Sequence, residues 1–285
     1  MYDEKEKLIT EFKKMLDDVN TKENDIQEFI ETYSQLIPTP FLLGHALHFN
    51  SVISKFKLSD SYITDFAYMT KCTDYWNLVL IELEDSHKKI FTNNKNNTYF
   101  HNEFNHAYDQ ITSWKNYIEQ NKECVLKKIT KLKLPIKYTP IRIKYVLIIG
   151  RNSDKNTEEK INMFAQKSND DVKVMTYDSI ISMYKHLEVS INKMVLSHWK
   201  GGFKVKHVPD NLDTSIFASV KPEYLDIGTE NTKKLIAQDY QIDRWRRGYP
   251  LMYNSKYDAK TYKEKATNIL AKVTVTDDEI ERKFD

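Results

Sequence analysis

Glycine and cysteine are scarce in this chain, six and two among 285 residues. None of the glycines forms G-x-G-x-x-G or G-x-x-x-x-G-K-[ST], so the usual phosphate-cradling turns of dinucleotide and P-loop sites are missing. Cys72 and Cys124 build neither a disulfide framework nor a C-x-x-C pair, which fits a reducing compartment and predicts two buried thiols. Charge of one sign is also lacking. With 43 basic against 41 acidic residues, no whole-molecule field draws the chain to nucleic acid, and any cationic surface has to be local. Apolar runs such as Val146 to Ile149 are far too short to span a bilayer, and the opening MYDEKEKLIT carries no apolar leader. A soluble, cytoplasmic protein without a membrane partner is expected. The eight histidines show no zinc spacing, and His45 and His48 read as structural.

What is present is a globular composition, 40% hydrophobic and 29% charged, on a chain long enough for a sizeable core. Leu8, Ile9, Phe12, Met15, Leu16 and Val19 recur at helical spacing over residues 1–20. Asn24 or Asp25 can cap a second helix carrying Ile26, Phe29, Ile30, Tyr33 and Ile37 before Pro38 stops it. The period then drops to two. Residues 51–58, 62–69 and 75–84 read as three strands of an antiparallel meander. A helix over 102–121, with Phe104, Ala107, Tyr108, Ile111, Trp114 and Ile118 as its stripe, precedes a strand at 145–149. Asn156 and Glu159 cap a helix, a strand follows at 172–177, and a helix over 179–187 ends the pattern. This order predicts an α/β fold, a mixed sheet flanked by helices, with a helical N-terminal segment and an irregular C-terminal extension. The expected divisions are residues 1–21, 22–188 and 189–285, the last of unknown fold.

The two hairpins set a register. Centring the first on Asp60 makes opposed residues sum to 120, and centring the second between Thr73 and Asp74 makes them sum to 147. Lys55, Asp65 and Glu82 then form one transverse row, with Lys57, Ile63 and Glu84 beside it. Opposed side chains share a face with Cβ atoms about 5 Å apart. The other face, Val52, Phe56, Leu58, Thr64, Phe66, Tyr68, Val79, Ile81 and Leu83, is an apolar surface that calls for a helix. Two carboxylates this close repel unless a cation neutralises them, and hard oxygen ligands suit Mg²⁺ or Mn²⁺. The competing reading is a solvated face of cross-strand ion pairs. Leu78 and Leu80, beside Glu82, favour a covered face.

An aspartate followed by Glu-x-Glu on neighbouring strands is weak by itself. The order helix, strand, strand with Asp, strand with Glu-x-Glu, helix is that of the PD-(D/E)XK nuclease core. More closely, ISKFKLSDSYITDFAYMTKCTDYWNLVLIELED, KIFTNN, AYDQITSWKNYI, YVLIIGR and VKVMTYDSI resemble the nuclease domain of the Shedu anti-phage defence family, over roughly residues 22–188. The resemblance implies a metal-dependent endonuclease of bacterial defence acting on double-stranded phage DNA, as a homo-oligomer with a tetramer among the candidates. Asp65 and Glu82 match the metal-binding acids, with the Leu83 carbonyl as a further ligand for Mg²⁺ or Mn²⁺. Gln110 matches the glutamine on the following helix. Glu84 departs from the superfamily lysine, and by register Lys55 is the favoured surrogate, Lys57 second and Lys88 third. Glu28 and Glu31, on the helix before the sheet, read as a solvated face.

Candidate phosphate contacts are Lys57, Lys88, Lys127, Lys128, Lys131 and Arg151. Three of these fall in a run from Lys122 to Lys144 that holds eight basic residues and one acid, a phosphate-neutralising stripe or a solvated connector. Arg244-Trp245-Arg246-Arg247 offers cations beside an aromatic, for stacking on a base or for an intersubunit contact. Two other functions compete with DNA cleavage: a catalytically degenerate nuclease fold serving as a nucleic-acid-binding or assembly module, and cleavage of RNA.

Overall fold

The computed structural model describes residues 2–94, 97–133, 139–187, 192–209, 212, 214–249 and 251, and divides into two compact units, Met1–Leu212 and Asp213–Asp285. The first unit opens with α1 (Tyr2–Asp17), which buries Leu8, Ile9, Phe12 and Leu16 on one side. Val19 lies beyond its end and is exposed. In α2 (Glu23–Thr32) the cap falls at Lys22, ahead of the predicted Asn24 or Asp25, because the Asp25 carboxylate reaches back to accept the Lys22 N–H at 2.9 Å. A single 3₁₀ turn, Ser34–Leu36, leads to Pro38.

Three antiparallel strands follow: β1 (Leu47–Lys57), β2 (Ile63–Lys71) and β3 (Trp76–Leu83). Val52 pairs with Tyr68 and Phe56 with Thr64, while Phe66 pairs with Ile81 and Lys71 with Trp76. Both registers match those read from the hairpins. Next come α3 (Asn102–Lys127), β4 (Ile141–Ile148), α4 (Glu158–Gln166), β5 (Val172–Met175) and α5 (Tyr177–His186), then the hairpin of β6 (Met194–Trp199) and β7 (Gly202–His207). Within this unit the strand order is β5-β4-β3-β2-β1-β6-β7, with β3–β4, β4–β5 and β1–β6 parallel and the rest antiparallel. The ends of β1, β3, β4, β5 and β6 and the start of β2 therefore lie along one end of the sheet, as in other open sheets whose ligands gather at strand C-termini.

One sheet face carries Val52, Phe66, Tyr68, Val79, Ile81, Val146 and Ile148, packed in one core with Phe12, Ile26, Ile30 and Tyr177 from α1, α2 and α5. β3 is buried along its whole length, so the face bearing Leu78, Leu80 and Glu82 is covered as well. A solvated antiparallel face is thereby ruled out at β3. Along α3, Phe104, Ala107, Ile111, Trp114 and Ile118 are buried. The helix predicted to stop at Asn121 kinks there (φ −126°) and resumes to Lys127. α4 is capped by the Thr157 hydroxyl, which accepts the Lys160 N–H at 3.3 Å, one residue later than the predicted Asn156. Cys124 is exposed on α3 and Cys72 half-buried, so neither is the buried thiol expected.

Among the described residues from 192 to 249 the chain is more regular than its sequence pattern suggests. Lys200 (φ 40°) and Gly201 (φ 78°) form the two-residue turn joining Trp199 to Gly202, a type I′ hairpin turn rather than a break. The second unit holds α6 (Ser215–Ser219), β8 (Leu225–Asp226), α7 (Thr229–Ala237) and α8 (Ile242–Arg246). Trp245 is buried there edge-on to Phe217, with ring centroids 5.1 Å apart, and its Nε1 donates to the Val220 carbonyl at 3.1 Å. The Arg-Trp-Arg-Arg motif thus presents no free aromatic face. Among the described residues no helix is long and apolar enough to cross a membrane.

Candidate functional site

At the shared end of the sheet, the first residues of β2 and the last of β3 set Asp65 and Glu82 on adjacent strands, one step beyond the Phe66–Ile81 pair. Asp65 is buried, and its two oxygens are used differently. Oδ1 accepts the Lys55 ammonium at 2.7 Å and Oδ2 accepts the Leu83 N–H at 2.7 Å. Lys55 sits in a left-handed backbone conformation (φ 49°), a strained one for a side-chain-bearing residue, and is half exposed while its partner is not. The row Lys55, Asp65, Glu82 predicted from register is thus assembled around a buried carboxylate.

Glu82 is the more unusual acid. Its Oε1 accepts from the Gln110 amide on α3, and its Oε2 is buried with no hydrogen-bond partner. Burial, followed by the negative charges of Asp65, Glu84 and Glu23, pushes its pKa up to about 10. Glu84, also buried, pairs with the Lys88 ammonium one turn further on. Burial pulls Lys88 down, but the hydrogen bond and charge of Glu84 outweigh it and leave its pKa raised. Lys88, the third surrogate by sequence, is thus held against the acidic cluster. Gly150 lets this loop approach β4: it has φ +63°, and a Cβ there would lie 2.7 Å from the Lys88 carbonyl.

One acid was missed by sequence reasoning. Glu23, in the first turn of α2, is half-buried, and its pKa is raised by burial and then by Asp65 and Glu84. Nothing in local periodicity signals it, because only the packing of α2 brings residue 23 to acids 42 and 61 residues further along the chain. Glu31 is buried, contrary to expectation, but it bonds Ser54, Gln27 and Lys206 and not the acids above. Glu28 is exposed on α2, as expected. Tyr177, fully buried, donates to the Glu84 carbonyl at 2.7 Å and fixes the end of β3 from the opposite face.

The predicted phosphate contacts are scattered. Lys57 is exposed at the end of β1. Lys127 and Lys131 are exposed at and after the end of α3, whereas the Lys128 ammonium donates to the carbonyls of Lys57 at 2.8 Å and Leu58 at 3.0 Å. Arg142 stacks on Tyr75 at 3.7 Å, Lys144 pairs with Asp171 at 2.7 Å, and Lys137 lies outside the described residues. The basic run is therefore partly consumed in holding the fold. Arg151 is held between Asp178, whose two oxygens accept its Nε at 3.1 and 3.2 Å, and the end of α1, where Asp17 and the Leu16 carbonyl accept from it. His48 bonds the Leu132 carbonyl at 2.9 Å and packs on Phe49 and Trp76, a structural role.

Among the described residues no group of three or more His, Cys, Asp and Glu side chains is placed to hold a metal. A cation here would rest on two carboxylates, completed by backbone or solvent oxygens. The donor set fits one: Glu82 Oε2 is a buried oxygen without a partner, and Asp65, Glu84 and the half-buried Glu23 gather negative charge beside it. A hard divalent ion would answer both.

A search of curated proteins finds no match. The family model described as Shedu protein SduA, C-terminal, matches residues 20–181, more than half of the chain, and takes in every element that carries an acid of the site. That match points to anti-phage defence, and on it this chain belongs to the Shedu family.

Proposed function

We propose that the chain is a Mg²⁺- or Mn²⁺-dependent DNA endonuclease of bacterial anti-phage defence that hydrolyses phosphodiester bonds of double-stranded phage DNA. The observation that carries this reading is the buried, unpartnered Glu82 Oε2 beside Asp65, in a chain of the Shedu family. Asp65 and Glu82, with the Leu83 carbonyl, are the residues that would hold the ion. When bound, the ion supplies a polarised phosphate oxygen and a more acidic water.

The remaining work belongs to the chain's own groups. Gln110 donates to Glu82 Oε1 and so leaves Oε2 as the oxygen turned to a ligand. Leu83 N–H fixes Asp65 in its rotamer. Lys55 and Lys88 bring two ammoniums to a site whose superfamily lysine position holds Glu84, and they are the groups available to meet charge that builds on a phosphate. Burial of the acids excludes water competing for the same oxygens. The alternative, a degenerate fold used for binding or assembly, rests on Glu84 alone, and the two ammoniums beside it weaken that case.

Purified protein incubated with supercoiled and linear DNA in Mg²⁺, in Mn²⁺ and in chelator tests the reading. Metal-dependent cleavage is expected. It should be lost in Asp65→Ala and Glu82→Ala while circular dichroism stays native, and RNA competitor should not protect the DNA. Untouched DNA under every condition, or variants that cleave as well as the parent, overturns the assignment.

A further inference from the structure

The β6–β7 hairpin reaches the acidic end of the sheet without holding any of the acids. Parallel β1 and β6 pair as far as Ile53 and Leu196 and run on in the same direction to Lys57 and Trp199, so the hairpin turn comes to the end of the sheet where Asp65, Glu82 and Glu84 stand. Residues 192–209 contain four lysines and no Asp or Glu. Two of the four are engaged in the fold: Lys193 is buried, donating to the Ser34 carbonyl at 3.0 Å, and Lys206 pairs with Glu31. Lys200 at the turn and Lys204 on β7 are exposed.

Between them sits an indole. Trp199 is 37% exposed, whereas Trp76, Trp114 and Trp245 are 1%, 0% and 2% exposed. Its cross-strand neighbour is Gly202, which has no side chain to cover it, and the Lys200 ammonium lies 4.8 Å from its ring centroid. The type I′ turn fixes the pair in place. A flat aromatic between cations, with no acid on the element, suits a polymer of stacked bases and phosphates: the ring takes a base and the ammoniums take its backbone.

Resting on the nuclease reading above, we infer that Trp199 stacks on an unpaired base of the DNA substrate at the margin of the site while Lys200 and Lys204 meet the flanking phosphates. Because the other three tryptophans are buried, acrylamide-accessible emission reports Trp199. Titrating the full chain, in chelator, with a DNA duplex that carries a single-stranded overhang should quench that emission and remove its acrylamide access. Trp199→Ala should weaken binding by about 5- to 100-fold, with Trp199→Phe close to the parent. The double variant K200A/K204A should lower the steepness of log affinity against log salt by about 2.

Unchanged emission on DNA binding together with unchanged affinity of Trp199→Ala overturns the inference, as does protection of the indole by an acidic protein but not by DNA. The binding arm needs no cleavage. DNA that quenches Trp199 but is never cut sinks the nuclease reading and leaves the hairpin contact standing, whereas cleavage with an indifferent Trp199 does the reverse.

Discussion

Glu82→Gln exchanges a buried carboxyl for an amide of the same shape and still gives the Gln110 side chain an oxygen to donate to. Its effect is set by protonation. The folded chain holds the Glu82 proton up to about pH 10, against an ordinary value of 4.5. Below pH 4.5 both states keep the proton and the group adds no slope. From 4.5 upward the unfolded chain releases it and the folded chain does not, so rising pH favours unfolding until the native site ionises as well. Each pH unit in that window is worth about 1.4 kcal/mol, and the stretch from 4.5 to 7 about 3 kcal/mol. Because Asp65, Glu84 and Glu23 share the field, the slope belongs to the cluster and 3 is an upper figure.

Urea denaturation of parent and variant at several pH values between 5 and 8 measures this directly. The variant should match the parent near pH 4.5 and exceed it by a margin that widens with pH, towards about 3 kcal/mol at pH 7. Mn²⁺ should then stabilise the parent at pH 7 to 8, since it binds the folded state alone, and leave the variant unmoved. A stability difference that is flat in pH, or one that shrinks as pH rises, refutes the buried, protonated acid and with it the argument that Oε2 awaits a cation.

Two cationic side chains, Lys55 and Arg151, give sharper structural tests. Lys55→Gly and Lys55→Ala both remove the cation from Asp65, but only glycine adopts φ 49° without strain, so the glycine variant should be about 1 kcal/mol more stable in thermal or urea unfolding; equal stabilities would show that the left-handed conformation is not maintained. Arg151→Ala unties α1 from α5 and should cost about 1–3 kcal/mol, discounted because the guanidinium is 22% exposed, with the salt dependence of DNA binding unchanged. A drop of about 1 in that salt slope would instead make Arg151 a phosphate contact.

Why the sheet was readable and its surroundings less so follows from the range of the signals. Alternation along β1 to β3 and two short polar turns fix register locally, and a one-residue slip would have put Asp65 and Glu82 on the apolar face. The pairs Phe56–Thr64 and Phe66–Ile81 confirm both turn centres. Val19, predicted inside α1, was misplaced because a helical period says nothing about where the chain leaves the helix. Gly201-Gly202 reads as a break when composition alone is weighed. With Lys200 and Gly201 both at positive φ, those two residues are instead the tightest connection two strands can have, and Gly202 opens β7. Glu23 and Lys88 needed packing to be found, since each reaches the acids through an element whose own periodicity is silent about them.

The same distinction bears on Glu84. On the sequence resemblance it stands where the PD-(D/E)XK nuclease core places a lysine, and read in isolation it takes away the cation such a site needs. In the fold its carboxylate holds Lys88, and Asp65 holds Lys55, so positive charge is present at both ends of the acidic row although neither lysine occupies the expected position. A substitution at one position of a motif is therefore a poor guide to whether the electrostatics of a site survive. What matters is the sum over groups that converge there: two ammoniums stand beside Asp65 and Glu84, and the proton that Glu82 keeps is the charge the proposed divalent ion would replace.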